Sequence, residues 1–171
     1  MGIEIIDLKT DKTKEKIIKI IEWDSTTATK DNHEHFMIKE ILEQPETIKK
    51  ALLQDNEKLM KIAIGILRAK QVIITACGSS RYAALIGRYL FSKIGGKFCD
   101  VVMSSEFGYF GESIDKNTLI IAVSQSGETA DVLEGLKQAK KNGAEIYSIV
   151  NVADSTIART SDEVLYLNCG P

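Results

Sequence analysis

Two short segments of this chain combine glycine with hydroxyl side chains, a combination that suits the binding of an anion. The first is Cys77-Gly78-Ser79-Ser80, and the second is Ser124-Gln125-Ser126-Gly127-Glu128-Thr129. Each segment follows a run of apolar residues and precedes a helical pattern. The N-terminus of a helix offers unpaired N–H groups and the positive end of the helix dipole, so it attracts phosphate. Hydroxyls add further donors, and glycine lets the backbone approach the ligand closely.

The same residue types also serve as ordinary helix caps, and a single such segment would carry little weight. Two of them, at neighbouring strand ends of one sheet, favour a shared phosphate cradle. The residues predicted to bind the phosphate of a ligand are Gly78, Ser79, Ser80, Ser124, Gln125, Ser126, Gly127 and Thr129.

Other chemistries fit the sequence poorly. There is no Gly-Lys-Ser/Thr segment of a nucleotide-binding P-loop, and Gly78 lacks the spacing of a dinucleotide-binding loop. A serine hydrolase would need glycine at positions 124 and 128 and a histidine after the nucleophile, whereas both histidines, His33 and His35, lie far upstream. Those two histidines are two residues apart on a predicted helix, so they do not share a face. We therefore predict no metal site. No flavin or nicotinamide signature stands out, so no cofactor is predicted.

Alternating strand and helix patterns must position these polar segments. Val72–Ala76 is a continuous apolar run, typical of a strand buried on both faces, and four further strands are predicted. They lie near Cys99–Met103, Thr118–Val123, Glu145–Val150 and Glu163–Leu167. The alternation predicts an α/β fold with a five-stranded parallel sheet of order 2-1-3-4-5, flanked by helices on both faces. In that order strands one and three are neighbours, and their helices leave on opposite faces.

The helical patterns are defined by their apolar residues. Helices begin near His33, and Pro45 is expected to interrupt the first apolar stripe. The helix after the first strand is predicted to turn five apolar residues inward and to end at Gly95-Gly96; they are Leu85, Ile86, Tyr89, Leu90 and Ile94. The helix after the third strand is predicted from about Glu128 to Asn142, with Gly143 as its stop.

The N-terminal 31 residues form a separate segment. Two apolar stretches, Ile3–Leu8 and Ile17–Trp23, flank the charged turn Thr10-Asp11-Lys12 and suggest a small hairpin. Such a segment has too little apolar surface to fold alone. The predicted division is a linker or tail over residues 1–31 and one domain over residues 32–171.

The composition argues against nucleic acid and membranes as partners. The chain has 171 residues, 44% hydrophobic, with a formal net charge of −2, so no excess of positive charge attracts nucleic acid or a membrane surface. No apolar stretch is long enough for a signal peptide or a membrane span. The three cysteines, Cys77, Cys99 and Cys169, lie far apart and suit a reduced, cytoplasmic protein.

The segments Ala76–Ser80 and Ser124–Asp131 resemble those of the sugar isomerase (SIS) fold, a three-layer α/β fold. Over residues 17–171 the chain is similar, more narrowly, to the isomerase half of the glutamine–fructose-6-phosphate aminotransferases, the glucosamine-6-phosphate synthases. His35–Pro45 resembles the helix that opens that half, and Ser105-Glu106-Phe107 resembles the segment after its second strand.

The resemblance implies a parent enzyme with a glutaminase domain and two SIS domains, of which this chain is the first. Such enzymes make glucosamine 6-phosphate from fructose 6-phosphate and glutamine without a redox cofactor. Ser79, Ser80, Ser124, Gln125, Ser126 and Thr129 would hold the sugar phosphate, with serine at position 79 where the family commonly has threonine. The family's isomerase Glu, Lys and His belong to the second SIS domain, so no catalytic residue is assigned here and the fragment is expected to be inactive.

Two further expectations remain. SIS folds generally pair through helical faces, so the resemblance implies a homodimer. A stand-alone SIS module that senses a sugar phosphate stays open as an alternative function. The neighbouring coding sequence would discriminate between a fragment of the aminotransferase and a stand-alone module.

Overall fold

The structure, a computed structural model, describes residues 4–15 and 29–170. At its N-terminal end, β1 (Ile5–Asp7) pairs antiparallel with β2 (Lys12–Lys14). The predicted hairpin therefore exists, but its return strand begins at Lys12 rather than at the second apolar stretch. The Asp7 carboxylate accepts hydrogen bonds from the backbone N–H groups of Lys9 and Thr10, which tightens the turn and brings the chain back early. The predicted strand Ile17–Trp23 lies outside the described residues.

Two helices precede the main sheet, α1 (Phe36–Leu52) and α2 (Asn56–Arg68). Pro45 lies inside α1 and does not end it, so the predicted interruption is wrong. A proline removes the hydrogen bond to the carbonyl four residues earlier, here Ile41. Both positions are exposed, so water can hydrogen-bond that carbonyl and the helix continues. Asp55 caps α2, and its carboxylate accepts from the N–H of Glu57 at 2.9 Å.

Five parallel strands form the main sheet: β3 (Gln71–Ala76), β4 (Asp100–Met103), β5 (Thr118–Ser124), β6 (Glu145–Val150) and β7 (Glu163–Tyr166). Their order is β4-β3-β5-β6-β7, all neighbours being parallel. This confirms the predicted order 2-1-3-4-5. The central strands consist almost wholly of buried residues, because helices cover both faces of the sheet.

The covering elements are α3 (Gly78–Gly95), a 3₁₀ helix (Ser104–Ser113), α4 (Ala130–Lys141) and α5 (Thr156–Thr160). On one face, Ile66 of α2 and Ala84 of α3 pack over Ile74 and Leu119. On the other face, the sheet is covered by the 3₁₀ helix, α4 and α5, which contribute Phe107, Val132, Leu136 and Ile157. The three-layer prediction is therefore confirmed. None of the helices in the described part of the chain is long and apolar enough to cross a membrane.

The inward stripe predicted for α3 is wrong for four of its five residues, and the fifth, Leu85, is half-buried. Ile86, Tyr89, Leu90 and Ile94 are all more than half exposed, and the sheet is contacted by Ala84 and Phe91 instead. At 3.6 residues per turn, the predicted stripe lies on nearly the opposite face of the helix from Ala84. Because α3 carries apolar residues on both faces, helical periodicity alone could not tell which face meets the sheet.

Candidate anion-binding site

The sheet order brings the two polar segments together. β3 and β5 are hydrogen-bonded neighbours in which Ala76 pairs with Val123, so both strands end at the same level. The following helices, α3 and α4, pack on opposite faces of the sheet. This is the topological switch point at which open α/β sheets bind ligands. The first loop (residues 77–80) and the second loop (residues 124–129) are thus adjacent at the carboxyl edge of the sheet.

The first loop leads directly into α3. Gly78 has φ +56°, a left-handed conformation that glycine adopts at little cost. Cys77 precedes the helix and makes no side-chain cap hydrogen bond, so its thiol leaves the first-turn N–H groups to other acceptors. Ser79 is exposed and Ser80 is half-buried, which leaves both hydroxyls at the edge of the sheet.

The second loop is organised by its own hydroxyls. Ser124 is buried at the end of β5, its Oγ lies 2.8 Å from Oγ1 of Thr129, and the N–H of Gly127 donates to it at 3.1 Å. The Ser126 hydroxyl accepts from the N–H of Glu128 at 3.2 Å and is exposed, as is Gln125. α4 begins at Ala130, two residues later than predicted. Ser124 therefore shapes the loop, whereas Ser126 and Gln125 present donors to solvent.

Capping does not fully account for this loop. Thr129 stands at the N-cap position of α4, yet its side chain makes no cap hydrogen bond and bonds Ser124 instead. The first-turn N–H groups of α4 therefore have no acceptor in the Thr129 hydroxyl. These N–H groups and the exposed Ser126 hydroxyl together suit an anion.

A third loop, residues 151–155 after β6, and the start of α5 support the second loop, and sequence reasoning missed both. The N–H groups of Asn151 and Ile157 donate to the carbonyls of Gln125 and Gly127, at 3.1 and 2.9 Å. The N–H of Thr156 donates to the Glu128 carboxylate at 2.7 Å. The signal that could have found this support is the run Asp154-Ser155-Thr156, which begins four residues after the end of β6 and leads into α5.

The carboxylate of Glu128 is engaged by this contact. Hydrogen bonds from Thr156 hold the pKa of Glu128 below its usual value, so the group is ionised at neutral pH. Within residues 4–15 and 29–170, no cluster of three or more histidine, cysteine or acidic side chains could hold a metal ion. The donors of this site suit an oxyanion.

Sheet order and loops define the class of protein: a doubly wound α/β domain with hydroxyl-rich loops at its switch point. More specifically, the chain belongs to the SIS domain family, which matches residues 65–171.

Within the SIS family, the chain is similar in sequence to aminotransferases that act on a sugar phosphate by name. The chain is 42% identical over 168 residues to a glutamine–fructose-6-phosphate aminotransferase (isomerizing) of Pyrococcus horikoshii, covering 98% of this chain and 28% of that protein. A protein of the same name from Clostridium tetani is 38% identical over 178 residues and is covered to 29%. The chain thus spans less than a third of the length of these relatives.

Solved structures of related domains have the same fold as this chain. The C-terminal domain of glucosamine-fructose-6-phosphate aminotransferase from Francisella tularensis superposes with a TM-score of 0.74 at 32% identity, over 84% of this chain and 42% of that one. The sugar isomerase domain of an RpiR transcription factor from Sphaerobacter thermophilus shares the fold, with a TM-score of 0.67 at 22% identity, over 77% of this chain and 74% of that chain.

Proposed function

We propose that this chain is the sugar-phosphate-binding domain of a glutamine–fructose-6-phosphate aminotransferase. Its ligand would be fructose 6-phosphate or the product glucosamine 6-phosphate. The observation that carries the proposal is the pairing of two hydroxyl-rich loops at the switch point of a chain 42% identical to a protein of that name. The residues proposed to form the phosphate site, as ligands or as the loop that presents them, are Gly78, Ser79, Ser80, Ser124, Gln125, Ser126, Gly127 and Thr129.

The loops divide the work of binding between them. The exposed hydroxyls of Ser79 and Ser126 would donate to phosphate oxygens, while buried Ser124 holds the loop that presents them. Gly78, with positive φ and open space beside it, would let backbone N–H groups approach the anion. Gly127, also with positive φ, donates its N–H to Ser124 and so helps to shape the second loop. Binding here fixes one end of the substrate and leaves the sugar carbons free to reach groups elsewhere in the parent enzyme.

The parent reaction takes ammonia from glutamine to fructose 6-phosphate, and an aldose–ketose isomerisation then gives glucosamine 6-phosphate. Moving a proton between sugar carbons needs a positioned base and acid. The loops offer mainly donors, and the Glu128 carboxylate already accepts from Thr156. We therefore propose that the chain alone binds the substrate without converting it, and that catalysis uses a second SIS domain of the parent.

The proposal extends to the domain order and self-association of the parent enzyme. Residues 1–31 would link a glutaminase domain to this first SIS domain, residues 32–171, in a cytoplasmic enzyme. Self-association is supported by the exposed apolar stripe on α3, which includes Ile86 and Leu90. A second copy of the chain is the partner that we propose for this stripe.

Calorimetric titration of the 171-residue chain tests the proposal. We expect saturable binding of fructose 6-phosphate and glucosamine 6-phosphate, and poor binding of unphosphorylated fructose, because the phosphate supplies most of the attraction. Equal binding of fructose and fructose 6-phosphate would contradict the proposed site. Conversion of fructose 6-phosphate by the chain alone would contradict the assignment of catalysis to another domain.

A further inference from the structure

Arg81 has an unusual environment for an arginine. It lies in the first turn of α3, directly after Ser80, and is partly buried. Its Nε is fully buried and has no hydrogen-bond partner among the described residues. The other three arginines of the chain all have partners: Arg68 contacts Glu145, Arg88 contacts Tyr89, and Arg159 donates to Asp154 and Thr156.

The position of Arg81 on the helix indicates where its side chain extends. It precedes Ala84 by three residues, and Ala84 is buried against the sheet, so both lie on the sheet side of α3. Helical side chains lean toward the N-terminus of their helix. The N-terminus of α3 is the first loop of the site, so we infer that the Arg81 side chain is directed toward the switch point.

A buried N–H of a charged group without an acceptor is unfavourable, and a ligand with oxygen acceptors would relieve it. The proposed cradle otherwise offers hydroxyls, an amide and backbone N–H groups, which are neutral. A phosphate monoester carries up to two negative charges, and the planar guanidinium group matches phosphate in a two-pronged hydrogen bond. Arg81 supplies the full positive charge that the loops lack.

We propose that Arg81 is a phosphate ligand of this site and makes it selective for phosphate monoesters over neutral sugars. The inference rests on the proposed function, because it assigns a further residue to the same ligand. It goes beyond the two hydroxyl-rich loops, since Arg81 lies outside both.

The test is calorimetric titration of the 171-residue chain and its variants with fructose 6-phosphate. Replacing Arg81 with glutamine (R81Q) is expected to weaken binding roughly tenfold to a hundredfold, as for loss of a hydrogen bond to a charged group. R81K keeps the charge but not the planar fork, so we expect a smaller loss. R88Q is the matched control, two turns along the same helix, and should bind as the wild type does. Thermal unfolding verifies that each variant is folded.

The outcomes separate this inference from the proposed function. If S126A binds weakly while R81Q and R81K bind as tightly as the wild type, the Arg81 assignment is wrong and the cradle stands. If R81Q and R88Q lose the same affinity for fructose 6-phosphate, the loss reflects the net charge of the chain and not a contact of Arg81. That result would also overturn the assignment. If the wild type does not distinguish fructose 6-phosphate from fructose, the proposed function fails first, and the Arg81 assignment fails with it.

Discussion

At the scale of single residues, Gly127 is the most constrained position of the second loop. Its φ of +66° lies in the left-handed region, and a Cβ built there would overlap the Ser155 hydroxyl of the third loop. Gly78 has a similar φ of +56° but open space where a Cβ would lie. The two glycines therefore separate backbone strain from steric overlap.

Gly127→Ala is expected to lower the free energy of unfolding by about 2–5 kcal/mol, combining left-handed strain of ~1–2 with overpacking of ~1–3. Gly78→Ala adds only the strain, about 1–2 kcal/mol. Denaturant unfolding of both variants measures the difference. Equal losses would show that the third loop yields at Ser155 and does not brace the second loop.

At the scale of elements, α2 approaches the sheet closely at Gly65. A Cβ at Gly65 would overlap the hydroxyl of Tyr147, which lies in β6 and is buried. Tyr147 donates a hydrogen bond to Glu145 at 3.0 Å. Burial, with this contact next in importance, raises the pKa of Tyr147 to about 12, so the phenol stays neutral under ordinary conditions.

Gly65→Ala should destabilise the fold by about 1–3 kcal/mol through overpacking, even though alanine is the better helix former. Gly87→Ala in α3 is the matched control, because a Cβ there meets nothing within 4 Å. That variant should gain about 0.5–1 kcal/mol from helix propensity. Thermal unfolding distinguishes them, and stabilisation by both substitutions would mean that α2 does not pack closely on Tyr147.

The elements also show how far sequence reasoning reaches. The strands were predictable because buried parallel strands are continuous apolar runs, as in Val72–Ala76. The exposed face of α3 could not be predicted in this way. Ala84, a small residue, makes the sheet contact, while Ile86 and Leu90 do not. Small residues permit close approach, but a hydrophobicity pattern gives them little weight.

Part of the candidate site could be predicted from the sequence, and part could not. The first two loops carry glycine and hydroxyl residues that could be recognised along the chain. The support from Asn151 and Thr156 uses backbone N–H groups, which every residue except proline possesses. Arg81 lies in a helix, and its unpaired Nε is visible only once the fold is known.

At the scale of the whole molecule, the exposed stripe of α3 predicts a dimer. Ile86 is 63% exposed and Leu90 is 52% exposed, so glutamate at either position should leave the monomer folded. The same substitutions would bury a charge at the interface that we propose between two copies, and this is strongly unfavourable.

Light scattering should give twice the chain mass of 18.9 kDa for the wild type and a monomer for Leu90→Glu. Leu8→Glu is the control, because Leu8 lies in the turn of the N-terminal hairpin, outside α3, and is 97% exposed. A wild-type monomer at high concentration, or a Leu90→Glu dimer as stable as that of the wild type, would exclude α3 as the interface.

The central claim is that the second loop binds a sugar phosphate, and Ser126→Ala tests it most directly. The change removes one exposed donor and the acceptor of the Glu128 N–H, while the N-terminus of α4 remains. A neutral hydrogen bond contributes only about 0.5–1.5 kcal/mol, so the fold should survive. Ser92→Ala, an exposed position late in α3, is the control.

Calorimetry should show affinity for fructose 6-phosphate falling roughly tenfold to a hundredfold in Ser126→Ala, the effect of a lost hydrogen bond to a charged group. Ser92→Ala should bind as the wild type does. If folded Ser126→Ala binds fructose 6-phosphate as tightly as the wild type, the hydroxyl serves only the turn to Glu128, and the claim that this loop holds the phosphate through Ser126 is contradicted.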